Sequence, residues 1–201
     1  MHAFVLKWNR RARRSPCVRV CSVSMVLSDL QDAVRAGDAE ACERAIESGA
    51  RLGVGDQHIL RSAVVAGNTR VCHALLHAGG GDAAHTDTFG YSLLHDAARN
   101  GHADVCQVLL QHGAQLEQMS GVGRKTALLL AADQQHAEVC KVLLAAGANA
   151  SHRDCNQDTA LACAMRRRNL DLCHIIVEHC PDSVNQRFGH KQEPPLHHAV
   201  R

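Results

Sequence analysis

Fifteen histidines and ten cysteines among 201 residues are the side chains with most chemical reach here, and metal binding is the chemistry they would first support. A structural zinc site gathers thiolates and imidazoles four at a time, usually from C-x-x-C pairs followed by spaced histidines. No C-x-x-C pair is present, and Cys17 and Cys21, separated by three residues, have no second pair beside them. Cys173-His174 with His179-Cys180 is the densest patch, but Cys173 recurs as one of an evenly spaced series. Nucleophilic and phosphate chemistry fare no better. The chain has no G-x-S-x-G elbow, no P-loop and no H-E-x-x-H pair. Gly79-Gly80-Gly81 follows a helical pattern instead of linking a strand to a helix, so it reads as a turn. No catalytic residue, metal or cofactor is expected, and no small-molecule substrate.

The cysteine series has another origin. Cys42, Cys72, Cys106, Cys140 and Cys173 fall 30, 34, 34 and 33 residues apart, each just ahead of a Leu, Val or Ile run. Whole segments recur with them: GYSLLHDAARNGHADVCQVLLQHGA from Gly90, TALLLAADQQHAEVCKVLLAAGA from Thr126 and TALACAMRRRNLDLCHIIVEHC from Thr159. A weaker copy starts at His58 and a weaker one still at Leu30. Self-similarity at this period marks one supersecondary unit stacked on copies of itself. A cysteine at one fixed site in each copy behaves as a small hydrophobe in a helix contact, reduced and inert. That points to an intracellular compartment.

Within a unit the elements follow from local chemistry. Ser92 suits a helix N-cap, because its hydroxyl can accept a free N–H of the first turn. Leu94, Ala97 and Ala98 then line one side of a short helix at i, i+3, i+4 spacing, and Asn100-Gly101 ends it. Val105, Cys106, Val108, Leu109 and Leu110 form the stripe of a second helix, closed by Gly113-Ala114. Thr126 and Thr159 repeat the cap. Two antiparallel helices and an extended connection result, and neither helix buries its stripe without neighbours.

Apolar residues make up 46 % of the chain but aromatics only 2 %, which suits thin, closely packed helices. The net charge of +2 conceals two unlike parts. Six of the 22 basic residues lie in the first 24 positions, where there is no acid, leaving 16 basic against 20 acidic residues afterwards. Residues 1–26 therefore read as a basic, disordered tail, compatible with a nuclear import signal or, alternatively, a mitochondrial presequence. Met25 stands where a second translation start would remove it. No stretch is long and apolar enough for a membrane span, and no secretory h-region precedes the repeats. The expected location is cytoplasmic or nuclear.

These residues resemble the ankyrin repeat, whose signature runs G-x-T-P-L-H-x-A-A, then G-H, V-V-x-L-L and G-A. The third unit matches it at Gly90, Ser92, Leu94, His95, Ala97, Ala98, Gly101, His102, Val105, Leu109, Leu110, Gly113 and Ala114. The fourth matches at Thr126, Leu128, Ala131, Ala132, His136, Val139, Leu143, Leu144, Gly147 and Ala148. The resemblance implies an all-α solenoid of stacked helix-turn-helix units joined by hairpin-like loops. It covers residues 27–201 as units 27–56, 57–89, 90–123, 124–156 and 157–189, with a partial unit at 190–201. The first-helix His is replaced by Arg61, Leu129 and Ala162, Arg168 stands at a turn glycine, and Cys180-Pro181 replaces Gly-Ala. Pro194 to Val200 opens a sixth unit without its partner helix, as expected of a fragment or truncated isoform.

In the family, partners dock on the finger-like tips between units and on the inner side of the first helices. Carried over, this implies a protein-binding module with Thr88, Phe89, Tyr91, Arg99 and Asn100 on the third unit and Phe188 at the finger equivalent to Phe89. Arg124, Lys125, Arg153, Arg166 and Arg167 would make the later units basic and suited to an acidic segment of a partner. Two competing readings are that the rings fold back over their own fingers, and that Asp154, Asp158 and Asp171 offset the charge. The implied role is an adaptor or substrate-recruiting scaffold, for instance of a ubiquitin ligase. The alternative is a nuclear regulator whose basic tail contacts nucleic acid or import receptors.

Overall fold

The computed structural model describes residues 27–185, apart from Gly79 and Val122. Ten α-helices in five pairs occupy this span. They are α1 (residues 27–36) and α2 (Ala39–Glu47), α3 (Gln57–Val65) and α4 (Thr69–His77), α5 (Leu93–Asn100) and α6 (Ala103–Gln111), α7 (Ala127–Asp133) and α8 (Ala137–Ala145), α9 (Ala160–Arg166) and α10 (Leu170–His179). Among the described residues there is no strand, only an isolated antiparallel bridge between Thr86 and Ser92. No helix there is long and apolar enough to cross a membrane.

First helices α3, α5, α7 and α9 pack side by side, and second helices α2, α4, α6, α8 and α10 form a row behind them. The caps are the expected ones. Ser92 Oγ accepts from the His95 N–H, Thr126 Oγ1 from Leu129 and Thr159 Oγ1 from Ala162. Each such cap is worth about 1 kcal/mol. The interior is one continuous apolar cluster running the length of the array. Cys42, Cys72, Cys106 and Cys140 are fully buried in a row along it, and burial pushes their thiols up to about 11 or 12. Cys173 departs from this. It is only half-buried, because no described helix packs beyond α10. All eight described cysteines are free thiols.

The turn at Cys180-Pro181 is reshaped as its sequence suggests: α10 ends without a left-handed residue and runs into a 3-10 turn, Pro181–Asn185. The inter-helix turns carry a surprise. Gly37, Gly67 and Gly101 adopt positive φ there, and so do Gln135 (φ 66°) and Arg168 (φ 57°) at the same place in the later units. The finger position of Gly90 is likewise taken by Arg124 (φ 51°) and Gln157 (φ 64°). Each left-handed non-glycine residue costs on the order of 1 kcal/mol. All four described cases lie in the last two units.

Candidate functional site

The fingers are built by one side chain each. Asp87 Oδ1 accepts the N–H groups of Phe89 and Tyr91, both at 2.9 Å, and Asp154 Oδ1 does the same for Asn156 and Asp158. In the fourth unit Ser120 takes this part through the Lys125 N–H, across a loop one residue longer. Neighbouring fingers are then stapled to each other. The Gly121 N–H donates to the Phe89 carbonyl (2.8 Å), the Cys155 N–H to that of Gly123 (3.0 Å) and His152 Nε2–H to that of Arg124 (3.2 Å). Backbone held this way offers its side chains at little entropic cost.

Two inter-unit bonds of the first helices explain a substitution that looks like a loss in sequence. His95 accepts the Ser92 N–H at Nδ1 and donates from Nε2 to the Lys125 carbonyl of the next unit (3.0 Å). Burial holds this imidazole below its usual range, against the opposing pull of the Lys125 carbonyl, so it stays neutral. Arg61, one unit earlier, makes the equivalent bond: Nη2 donates to the Tyr91 carbonyl (3.0 Å). Its remaining nitrogens pair with Asp96 (2.6 Å) and Asp87 (3.0 Å). Burial alone would raise Asp87, but the N–H groups of Tyr91 and Phe89, together with Arg61, hold it below the usual carboxylate range. Leu129 and Ala162 cannot form this bond.

In the fourth and fifth units ion pairs take its place. Lys125 Nζ lies 3.0 Å from Asp133, which also meets Arg167 at 3.3 Å and Arg166 at 3.9 Å. Arg166 closes the ladder on Asp158. Burial would raise Asp133, yet Lys125 and then Arg167 hold it below the usual carboxylate range.

These contacts engage part of the expected site within the chain. Lys125 is not a free finger cation; its side chain is 23 % exposed and committed to Asp133. Arg166 and Arg167 are about half exposed but tied to Asp158 and Asp133, so they brace units rather than stand open. Asp158, one of the acids expected to offset them, pairs with Arg166, and Asp133, which carried no sequence signal, meets Lys125, Arg166 and Arg167. Tyr91 folds back, half-buried, edge-on to His95 with centroids 5.7 Å apart. Asn100 is exposed but spends its amide on the Asp96 carbonyl at 2.7 Å. Arg153 is half-buried. Phe188 lies outside the described residues.

Four expected site residues stand open to solvent with no side-chain bond among the described residues: Thr88, Phe89, Arg99 and Arg124. Phe89 is 65 % exposed. Met119, 40 % exposed on the next finger, went unnoticed because nothing in the sequence separates it from a core methionine. No three His, Cys, Asp or Glu side chains gather as metal ligands among the described residues.

No curated protein matches the chain. A family model for ankyrin repeats matches it three times, over residues 30–120, 60–154 and 128–201. Such repeats form protein–protein interaction modules, a family that is generally non-enzymatic. With matches spanning most of its length and the paired-helix stack to go with them, the chain belongs to the ankyrin-repeat family.

Proposed function

We propose that this protein is a non-enzymatic adaptor that holds a partner protein against the finger-and-first-helix side of its third to fifth units. The observation that carries the reading is Phe89, a large aromatic left 65 % exposed on a finger whose backbone is pinned to its neighbour. An aromatic on a rigid support is the usual anchor of an interface, since little conformational freedom remains to be lost on docking. The exposed Arg99 and Arg124 add cations without an acidic partner among the described residues, which favours an acidic stretch in what binds. Recruitment of a substrate to a ubiquitin ligase is one form such an adaptor takes.

Site-specific photo-crosslinking tests the location. A photoreactive amino acid replaces Phe89 or Arg124 on the finger side, and His73 or Lys141 on the second-helix side. Adducts with partner proteins are expected from the first pair and not from the second. Adducts confined to His73 and Lys141 would place the interface on the opposite side and overturn the proposal.

A further inference from the structure

The charges of this face divide into two sets. Arg61, Lys125, Arg166 and Arg167 are matched by Asp87, Asp96, Asp133 and Asp158, so the floor formed by the first helices is neutral by itself. Arg99, Arg124 and Arg168 are exposed and make no ion pair among the described residues, which places open positive charge at the margins. Two of these three are not where backbone preference would put an arginine. Arg124 and Arg168 hold left-handed conformations at positions that carry glycine in earlier units, Gly90 and Gly101. Long cationic side chains are therefore kept at the margin against the local conformational preference.

Arg124 also has apolar company. Its finger is stapled to that of Phe89 through Gly121, and Met119 precedes the same finger. Phe89 and Met119 are two of the four large hydrophobic side chains exposed among the described residues. Exposed apolar side chains on two stapled fingers, with an exposed guanidinium on the second, match a ligand with the same two parts. From these observations, and resting on the interface reading above, we propose that the partner segment is an extended acidic peptide. A bulky apolar residue of that peptide seats on Phe89 and Met119, and carboxylates a few residues away pair with Arg124 and Arg99. Nucleic acid and anionic membrane fit less well, because a self-neutralised floor with a few separate cations lacks the continuous basic track that polyphosphate surfaces select.

The test is selection of random sixteen-residue peptides displayed on phage against the full chain, followed by affinity measurement on the enriched peptides. Enriched sequences are expected to share a Leu, Ile, Phe or Trp within about five positions of two or more Asp or Glu. Phe89→Ala and Arg124→Glu, each checked for an unchanged helical spectrum, are expected to weaken those peptides at least tenfold. Arg124→Lys should retain most of the affinity. Peptides without acidic bias that still require Phe89 would overturn the two-part ligand while sparing the interface. Peptides indifferent to both substitutions would overturn both, and a selection that enriches no common pattern would overturn the ligand.

Discussion

The ring of His136 occupies the space above Gly101: a Cβ on that glycine would meet the imidazole at 2.7 Å. From there His136 Nε2–H donates to the Arg99 carbonyl at 3.1 Å, satisfying the end of the preceding unit's first helix. His102 does the same over Gly67 toward the Val65 carbonyl at 3.0 Å. Each pair joins one unit's turn to the next, thirty-five residues away.

Gly101→Ala therefore combines a left-handed backbone penalty with a clash, and is expected to cost about 2–3 kcal/mol of unfolding free energy. In a His136→Ala background the clash is gone, so the same change should cost only about 1 kcal/mol. Urea denaturation of the four proteins of this double-mutant cycle measures the coupling, and additive effects would contradict the contact.

At the fourth unit's turn both the glycine and the next unit's histidine are absent. Asn169 replaces the histidine and caps its own helix through the Leu172 N–H, and Gln135 then occupies the turn at φ 66°. Gln135→Gly should stabilise the protein by about 0.5–1 kcal/mol, and Arg168→Gly by a similar amount. Thermal unfolding midpoints would rise accordingly. Unchanged or lower midpoints would mean that these side chains make contacts offsetting the strain.

Arg61 acts as a cross-brace. Arg61→Ala leaves Asp87 and Asp96 without their cation and the Tyr91 carbonyl without its donor, which should cost about 2–3 kcal/mol. Arg61→His should recover part of this through the Tyr91 carbonyl, as His95 does one unit later. Chemical denaturation of the pair gives the comparison.

Stability should also depend on the protonation of His95. In the fold its pKa lies below the ordinary 6.5, so between that value and the folded pKa the unfolded chain binds a proton that the native one refuses. Stability from this group is thus complete above about pH 6.5 and falls as pH is lowered. Wild type should lose up to about 1.4 kcal/mol per pH unit more than His95→Gln across this window. Equal slopes would show that His95 takes up its proton in the fold.

Thiol chemistry offers a further check. Cys155 is exposed on a finger, whereas Cys42, Cys72, Cys106, Cys140 and Cys163 are fully buried, with thiols raised to about 11 or 12. Brief iodoacetamide treatment of the native protein should label Cys155 and spare those five, as peptide mass analysis would reveal.

Much of the fold could be read in the chain because repetition averages out local ambiguity. Ser92, Thr126 and Thr159 announced helix starts, and the evenly spaced cysteines announced one shared interior. The candidate face was legible only in part. Whether Lys125, Arg166 and Arg167 are available depends on Asp133, a helix-end residue whose partners lie up to thirty-four positions away. Ion pairs of that reach leave no local trace. Arg61 illustrates the opposite error: it looks like a lost histidine, yet three-dimensionally it supplies the same hydrogen bond. Left-handed Gln135 and Gln157 were equally silent, since glutamine signals no turn.

That one joint is neutral and the next charged has a mechanical consequence. Between the third and fourth units the link from buried His95 involves uncharged groups, which dissolved ions scarcely touch. Between the fourth and fifth, Asp133 grips half-exposed Arg166 and Arg167, a clasp that electrolyte loosens. The solenoid is then a spring of uneven stiffness, whose last described joint softens as ionic strength rises while the one before it keeps its set.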